Sequence, residues 1–355
     1  MKIILLIFLI YLVQFLNLSS NELKLEEVIK GLNNPWSLSF MKDEDILITE
    51  KSGSLLKINL IDKKIKKLTH NLNILEDGQG GLLEVLFKNN EVFVSYSENR
   101  GGGKSSTSVA KASIKNNDLN FTNIFRAEPP INSGYHFGSR LVIKDDYLFI
   151  TAGERGKGMI AQDAMKHPGS IIRIHLDGSI PENNPKFENK QNWLPEIYQI
   201  GVRNPQGMAL SPFDGKIYLT NHGAKGGDWF GIAKKGENYG WKILGWGGTN
   251  YTGTKIGPKW KPGFTKAIKY WVPSIAASSM IIYKGKEFQE WNGNALITSL
   301  KNQSLRKIKF KDNNLLKEDI IFKDIIGRIR DIEVEKKTGE IFLLTDQGSV
   351  WRLYK

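Results

Sequence analysis

Cysteine is absent from the 355 residues, so no disulfide bond contributes to the fold. Long helical periodicity is absent too, and no stretch after the first twenty residues is apolar enough to cross a membrane. The chain also lacks a basic helix or an arginine-rich arm, although its formal net charge is +13. Because its lysines are scattered, most are expected to form a solvated surface, and nucleic-acid binding is not expected. What remains is an ordinary globular composition, with 40% hydrophobic and 25% charged residues.

The first twenty residues, MKIILLIFLIYLVQFLNLSS, combine one lysine with a long apolar stretch and then small polar residues. This layout predicts a signal peptide over residues 1–20, although a clean small-x-small cleavage site is missing. An uncleaved anchor is the alternative, but the apolar run is short for a membrane span. An exported chain without disulfide bonds fits a bacterial periplasm at least as well as eukaryotic secretion. We therefore expect a periplasmic or secreted protein without a stable membrane span.

One short pattern, three apolar residues followed by a hydroxyl residue, recurs six times. Its copies are ILIT (46–49), VFVS (92–95), LFIT (148–151), IYLT (217–220), ALIT (295–298) and FLLT (342–345). Each copy follows a polar turn and an earlier strand-like run. Recurrent antiparallel units of this length predict an all-β, six-bladed β-propeller with four-stranded blades, as one domain over residues 21–355. An irregular sandwich or barrel is the alternative.

The last repeat ends at its third strand, so its blade needs an outer strand from elsewhere. Residues 24–32, KLEEVIKGL, would supply that strand and close the ring. Long Gly-, Pro- and Lys-rich loops lie between the middle repeats, and such loops on a rigid scaffold usually carry function.

The stretch HFGSRLVIKDDYLFITAGERG, residues 136–156, reads as two antiparallel strands joined by a tight loop. The start of the first strand and the end of the second lie at the same end of such a hairpin. His136 and Glu154 are therefore expected to meet there, either as a histidine–carboxylate site or as two solvated loop residues.

In a propeller, the residues before each first strand and after each second strand emerge on one face, near the central channel. These positions are Gln79, His136, Glu154, Arg203, Asn204, Lys301, Arg328 and Arg330, together with the backbone of residues 221–228. Four are cations, and cations that converge on one pocket favour a bound anion with several carboxylates or phosphates. The alternative is that each is a surface charge near a strand end.

These residues lie in stretches that resemble a known family. The stretches include GQGGLLEV, HFGSRLVI, TAGERG, PEIYQIGVRNPQGMAL, KKGENYGW, VPSIAAS, TSLKNQSLRKI and RIRDIEV, in family order over nearly all of the mature chain. The sequence resembles the soluble, PQQ-dependent aldose sugar dehydrogenases of the glucose/sorbosone dehydrogenase family, which are six-bladed propellers.

The resemblance implies a role for each matching position. His136 matches the base that takes the proton of the anomeric hydroxyl while hydride leaves for PQQ, and Glu154 is placed to orient its imidazole. Arg203 matches the arginine that steadies the quinone oxygens. The carbonyls of Gly223 and Ala224 match the backbone ligands of a Ca²⁺ ion that also binds PQQ.

Contacts with the cofactor follow from the resemblance, and Ser274 and Trp271 are added because they lie just before a first strand. The expected cofactor contacts are Gln79, Arg203, Asn204, Lys301, Arg328, Arg330 and Ser274. Trp271 lies at the same rim as Ser274 and is expected to stack on a sugar, with inter-blade packing as the alternative.

Three positions depart from the family pattern. Glu154 stands where the family usually has aspartate, and Ala224 replaces a proline, so the calcium loop is less rigid. Trp229 replaces an acidic residue associated with a second, structural calcium, which puts that second site in doubt. Alternatively, Trp229 is expected to widen the apolar rim that a sugar meets.

The leading hypothesis is an exported PQQ- and calcium-dependent dehydrogenase that oxidises the C1 hydroxyl of aldose mono- and disaccharides to lactones, with an unidentified electron acceptor. A calcium-dependent lactonase-like hydrolase is the second hypothesis, but it needs acidic metal ligands on a face that is mostly cationic. A sugar-binding propeller without catalysis is the third, and only the altered calcium loop supports it.

Overall fold

The first strand of every blade contacts the first strand of the next blade, and these contacts close into a ring. The ring belongs to a computed structural model of the protein, which describes residues 23–42, 44–186 and 193–355. The predicted six-bladed β-propeller is confirmed. The signal peptide predicted over residues 1–20 lies outside the described residues. Within them, no helix has the length and apolar character to cross a membrane.

The chain enters the propeller through β1 (Lys24–Ile29), the outer strand of the last blade. Blade 1 contains β2 (Pro35–Phe40), β3 (Asp45–Glu50), β4 (Leu55–Asn59) and β5 (Ile65–His70). Blade 2 contains β6 (Leu82–Lys88), β7 (Glu91–Asn99) and β8 (Ser105–Ser113). The short β9 (Asp118–Leu119) pairs in parallel with β5, and β10 (Thr122–Arg126) completes blade 2.

The remaining blades follow in chain order. Blade 3 contains β11 (Gly138–Lys144), β12 (Tyr147–Ala152), β13 (Ser170–His175) and β14 (Ile197–Ile200). Blade 4 contains β15 (Pro205–Leu210), β16 (Ile217–Asn221), β17 (Asp228–Ile232) and β18 (Lys269–Trp271). Blade 5 contains β19 (Ala277–Ile282), β20 (Ala295–Ser299), β21 (Ser304–Lys311) and β22 (Asn314–Lys323). Blade 6 contains β23 (Ile329–Val334), β24 (Ile341–Thr345), β25 (Ser349–Tyr354) and β1. Two short 3₁₀ helices, Gly158–Gln162 and Gln289–Trp291, lie between strands.

The repeated pattern of three apolar residues and a hydroxyl forms the second strand of each blade. Its apolar residues pack between blades, and in blades 1 to 4 its hydroxyl reaches across to the first strand of the following blade. In blades 5 and 6 the hydroxyls of Thr298 and Thr345 bond within their own blade. Ser95 Oγ donates to the carbonyl of Ser139 at 2.6 Å, and Thr220 Oγ1 donates to the carbonyl of Ser278 at 2.7 Å. Buried hydroxyls need such partners, so in the first four blades the hydroxyl of the pattern links its blade to the next one.

Strand β1 closes the ring as expected. It pairs antiparallel with β25, in a register that sets Lys24 opposite Tyr354 and Glu27 opposite Trp351. The first and last strands of the propeller thus share one blade, so β1 supplies its fourth strand and joins the two ends of the chain.

A single arginine side chain ties the blades together at the channel. Arg140 is fully buried, and its Nη1 donates to Glu84 Oε2 at 2.6 Å and to Asp331 Oδ1 at 2.7 Å. Its Nε donates to the carbonyl of Gln206, and its Nη2 donates to the carbonyl of Arg330. Gln206 and Arg330 line a cavity at one mouth of the channel, whereas Glu84 and Asp331 line a cavity at the other mouth. Arg140 therefore bonds to the walls of both cavities.

Candidate active site

A cavity of about 230 Å³ opens at the mouth where the first strands begin. One wall is apolar and consists of Trp36, Leu83 and Phe137, which pack against one another. The rest is polar or cationic, and its side chains include Lys51, Gln79, Asn204, Gln206, His222, Arg328 and Arg330. An apolar wall facing cations and amides suits a flat anionic ligand.

His136 and Glu154 meet at the edge of this cavity. His136 Nδ1 lies 2.5 Å from Glu154 Oε1, and the other carboxylate oxygen accepts the backbone N–H of Gly158. His136 has a φ of +51°, and its N–H donates to Gln79 Oε1 at 2.9 Å. A Cβ atom on Gly153 would lie 2.0 Å from the His136 carbonyl, so only glycine permits this close approach. The extra methylene of Glu154 thus does not prevent contact with the imidazole.

Burial and charge set the protonation of this pair. Burial, reinforced by the positive charge of Arg203, lowers the pKa of His136 despite the opposing hydrogen bond from Glu154. Burial alone would raise the pKa of Glu154, but the hydrogen bonds with His136 and Gly158 hold it below its usual value. At neutral pH the pair is therefore a neutral imidazole bonded to a carboxylate.

The segment that follows β14 brings Arg203 and Asn204 to the same edge. The backbone N–H groups of both residues donate to Asn221 Oδ1, at 3.0 and 2.9 Å. The Arg203 carbonyl accepts the N–H of Glu154 at 2.8 Å, and Asn204 Oδ1 accepts the N–H of Gly138 at 3.0 Å. Blades 3 and 4 are therefore joined by the backbone that carries the candidate catalytic side chains.

Two arginines of blade 6 share one carboxylate. The Nε atoms of Arg328 and Arg330 each donate to Asp346 at 2.8 Å, one to each oxygen. Burial raises the pKa of Asp346, but the two guanidinium groups outweigh this and lower it. Asp346 is thus an anion that orients two cations at the cavity wall.

The loop after β16 presents two consecutive backbone carbonyls, those of Gly223 and Ala224. Among the described residues, neither carbonyl accepts a hydrogen bond. Asp228 holds the loop, since its Oδ1 accepts the Gly223 N–H at 2.9 Å and its Oδ2 accepts Ser274 Oγ at 2.8 Å. In the described part of the chain, no group of three or more His, Cys, Asp or Glu side chains is placed to hold a metal. A cation at this loop would therefore depend on backbone oxygen.

The structure does not bring every expected residue into the cavity wall. Gln79, Asn204, Arg328 and Arg330 line it, while His136, Glu154 and Arg203 lie beside it. Lys301 is exposed and directly follows Leu300, which lines the cavity. The hydroxyl of Ser274 donates to Asp228, which in turn holds the loop of Gly223 and Ala224, so Ser274 supports this loop.

The expectation that Trp271 lies at a sugar-accessible rim is wrong. The side chain is only 6% exposed, packs in the core between blades 4 and 5, and donates through Nε1 to Glu318 Oε1. Trp229 does not widen the rim either, because it is 2% exposed and stacks on Tyr239 with ring centroids 3.9 Å apart. Both positions pair within one blade, Trp271 opposite Asp228 and Trp229 opposite Tyr270, which directs the indoles into the packing between sheets.

Several residues of the site were not predicted from the sequence, among them Lys51 and Gln206 of the cavity wall and the three discussed next. Asp346 directly follows the last copy of the repeat, and Asn221 follows the fourth copy. Residues after each second strand emerge on the same face, so the reasoning that identified Glu154 applies to both of them. His222 lies within residues 221–228, where only backbone contacts were predicted, and it is one of the residues that line the cavity. Burial lowers the pKa of His222 to about 4, with Arg203 and Arg330 acting in the same direction and Asp228 opposing them.

Comparisons with known proteins agree with this architecture. The model of the family described as Glucose / Sorbosone dehydrogenase matches residues 32–354. The aldose sugar dehydrogenase YliI of Escherichia coli (strain K12) is 34% identical over 333 residues, which cover 90% of this chain and 88% of that protein.

Two solved structures extend the comparison. The apo-form soluble aldose sugar dehydrogenase of E. coli superposes with a TM-score of 0.87 and 33% identity, over 94% of this chain and 99% of that one. The PQQ-bound aldose sugar dehydrogenase of Streptomyces coelicolor superposes with a TM-score of 0.76 over 94% of this chain and 98% of that one. At 20% identity, the second likeness shows a shared fold.

Proposed function

The chain belongs to the glucose/sorbosone dehydrogenase family, and we propose that it is a PQQ- and calcium-dependent dehydrogenase that oxidises the C1 hydroxyl of aldose sugars to lactones. One observation carries the proposal: a neutral imidazole bonded to a carboxylate stands at the edge of a cavity whose wall holds two oriented arginines. Proteins named aldose sugar dehydrogenase among its relatives support the substrate class.

The cavity residues fit the cofactor. PQQ is a flat tricarboxylate, and the wall of Trp36, Leu83 and Phe137 offers its ring system an apolar surface. Arg328 and Arg330 would hold its carboxylates, together with Gln79, Asn204 and the neighbouring Lys301. The carbonyls of Gly223 and Ala224 would hold Ca²⁺, since this ion prefers oxygen ligands and both carbonyls lack a hydrogen-bond donor among the described residues.

The chemistry assigned to this chain begins with a proton. Because Nδ1 of His136 donates to Glu154, its Nε2 would be the acceptor that takes the proton of the C1 hydroxyl. Glu154 then stabilises the imidazolium and keeps the ring in one orientation, much as a carboxylate supports histidine in hydrolytic triads. When bound, PQQ supplies the two-electron acceptor for the C1–H bond. Arg203 would stabilise the negative charge that develops beside His136 and Glu154 during the transfer.

The location and the partners are part of the same proposal. Residues 1–20 have the layout of a signal peptide, and we propose a periplasmic or secreted enzyme that passes electrons to an acceptor of unidentified nature. Broad use of mono- and disaccharides is proposed as well.

The test is reconstitution. Full-length apoprotein is mixed with PQQ and CaCl₂, and reduction of an artificial dye is followed with glucose, maltose and xylose, together with lactone formation. We expect reduction only when PQQ, Ca²⁺ and sugar are all present. If no aldose supports reduction although PQQ binds, the dehydrogenase proposal fails; lactone hydrolysis without PQQ would establish the hydrolase instead.

A further inference from the structure

Lysines are scattered over most of the chain, but one segment concentrates them. The 49 residues from 238 to 286 contain eight lysines and neither Asp nor Glu. Five of the eight lie on the long connection between β17 and β18, which we call the lysine loop (residues 242–266): Lys242, Lys255, Lys259, Lys261 and Lys266. All but Lys242 are exposed, and among the described residues none of the five forms an ion pair with a carboxylate. The loop is therefore a surface of uncompensated positive charge.

The lysine loop borders the candidate active site. The side chain of Lys242 passes over Gly158, since a Cβ atom there would lie 2.9 Å from Cδ of Lys242, and the N–H of Gly158 binds Glu154. Burial lowers the pKa of Arg203, and the nearby hydroxyl of Tyr251 opposes this shift, so this part of the loop lies beside Arg203. The positive charge of the loop thus adjoins the residues proposed for catalysis.

The loop is built to meet something that stays outside the cavity. None of its five lysines, all within the described part of the chain, lines the cavity. Two aromatic side chains accompany them: Tyr251 is 73% exposed, and Trp260 is 39% exposed although its Nε1 donates to the Phe264 carbonyl at 3.0 Å. Exposed Tyr and Trp side chains are enriched in protein interfaces, and unpaired cations favour an acidic partner. The loop therefore has the composition of an interface with an acidic protein.

The proposed reaction requires a partner that approaches from outside, because the electrons taken from the sugar have to leave the cavity. Two molecules of a one-electron acceptor protein would each take one electron from the reduced cofactor, whose two protons pass to water, so the oxidised cofactor is restored. Interfaces between electron-transfer proteins are small and transient, and complementary charge accelerates their encounter. An anionic membrane fits less well, because a membrane on this face would cover the mouth through which the sugar enters.

We propose that the lysine loop is the docking surface for a small, acidic electron-transfer protein that reoxidises the cofactor. The proposal rests on the proposed function, because the electrons come from sugar oxidation in the cavity. It gives the unidentified acceptor a chemical class and a place of approach.

The experiment compares full-length wild type, loaded with PQQ and Ca²⁺, with two triple charge reversals. The test variant reverses three exposed charges of the lysine loop: Lys255→Glu, Lys259→Glu and Lys261→Glu. The control variant makes the same change in net charge at exposed positions in and next to β5, the outer strand of blade 1: Lys64→Glu, Lys66→Glu and Lys67→Glu.

The probe is plastocyanin, an acidic one-electron copper protein, and a basic cytochrome c is the probe of opposite charge. At low ionic strength we expect the test variant to reduce plastocyanin about tenfold more slowly than wild type or the control variant, and added salt should remove the difference. Titration of oxidised plastocyanin with each protein, without sugar, should show the same loss as weaker binding. Reduction of cytochrome c should be faster in the test variant than in wild type. Reduction of benzoquinone, an uncharged acceptor, should be equal in all three proteins.

A wild type that reduces benzoquinone but neither binds nor reduces plastocyanin would overturn the inference and leave the dehydrogenase proposal standing. Equal slowing in both variants would indicate a general effect of net charge and would overturn it as well. So would wild-type plastocyanin reduction in a test variant that has lost binding to phosphatidylglycerol vesicles, since the loop would then be a membrane contact. If no sugar supports benzoquinone reduction, the proposed function fails first and the inference fails with it.

Discussion

Glu154 Oε1 lies 2.5 Å from Nδ1 of His136, because the two residues, eighteen positions apart, flank the start and the end of one hairpin and so lie side by side. The contact engages one imidazole nitrogen and leaves the other for a substrate. It also pairs a group whose pKa is lowered by burial with a carboxylate whose pKa stays low despite burial. This division of charge is what a general base and its supporting anion require.

Removal of the imidazole should slow turnover by orders of magnitude and spare cofactor binding. In His136→Gln we expect single-turnover reduction by glucose to slow by about 10²- to 10⁴-fold, the range typical of a lost general base. The Kd for PQQ should stay close to wild type.

Because His136 has a φ of +51°, a substitution there also tests the backbone. His136→Asn is the matched variant, since asparagine tolerates this conformation well. An equal loss in both variants assigns the effect to the imidazole. Wild-type reduction rates in either variant would remove His136 from the mechanism.

Loss of the carboxylate charge should change the pH profile in a defined direction. The base must be deprotonated, so kcat/KM should fall as the pH drops through a pKa below the usual value for histidine. Glu154 raises that pKa by its hydrogen bond and its charge, so Glu154→Gln should move the acid limb to lower pH. The plateau should fall by roughly 10²-fold, because the imidazolium loses its support.

Glu154→Asp restores the charge with the shorter side chain that is usual in the family, and serves as the control. Its acid limb should return towards that of wild type. An acid limb that moves to higher pH in Glu154→Gln would contradict the proposed role of the carboxylate.

Substitution of Arg328 or Lys301 should weaken PQQ binding more than it slows turnover. Arg328→Ala and Lys301→Ala should each raise the Kd for PQQ by about 10- to 150-fold, since a hydrogen bond to a charged group contributes about 1.5–3 kcal/mol. Turnover at saturating PQQ should change much less. Lys337→Ala is the charge-matched control, because Lys337 is exposed and pairs with Glu44 at 3.4 Å. Equal PQQ affinity in all three variants would show that these cations do not hold the cofactor.

One tightly bound calcium per chain is expected, and not two. Both oxygens of Asp228 are occupied, by the N–H of Gly223 and by Ser274 and the N–H of Ala277. Trp229, beside it, is buried against Tyr239. Metal analysis of PQQ-loaded protein after gel filtration should give about one Ca²⁺ per chain. EGTA should abolish dye reduction, and Ca²⁺ should restore it better than Mg²⁺ does. Two calcium ions per chain would contradict this interpretation of the loop.

A single methyl group at position 223 should displace the loop that presents the carbonyls of Gly223 and Ala224. A Cβ atom on Gly223 would lie 2.2 Å from the carbonyl oxygen of Gly226, so Gly223→Ala must displace the loop. We expect weaker Ca²⁺ binding and weaker PQQ retention, measured by titration. Gly226→Ala is the matched control in the same loop, because its Cβ would approach nothing closer than a Val272 methyl at 3.2 Å. Equal Ca²⁺ affinity in the two variants would count against the carbonyl site.

Local patterns in the sequence predicted the fold and the central pair of the site. The pattern of three apolar residues and a hydroxyl recurs because neighbouring blades pack in the same way. The apolar residues pack between sheets, and hydroxyls such as those of Ser95 and Thr220 bond to the first strand of the following blade. The contact of His136 with Glu154 follows from one hairpin, so strand periodicity alone brings the two together.

Residues whose role depends on other blades could not be assigned in this way. A strand pattern shows that Trp271 and Trp229 lie in or near strands, but only the packing between sheets decides that both indoles are buried. Asp346 is different, because it meets Arg328 and Arg330 within one blade, where the start of β23 lies beside the end of β24. Arg140 bonds to residues up to 191 positions away in the sequence. The Nε2 atom of His222 is buried without a hydrogen-bond partner among the described residues, which no local sequence pattern predicts. The sequence by itself thus determined the blades and the histidine–carboxylate pair, which arise from short-range periodicity, and the closure, because the last repeat lacks a strand that residues 24–29 supply. The tertiary structure decided which polar groups are paired and which remain open to a ligand, because that depends on contacts between blades distant in the chain.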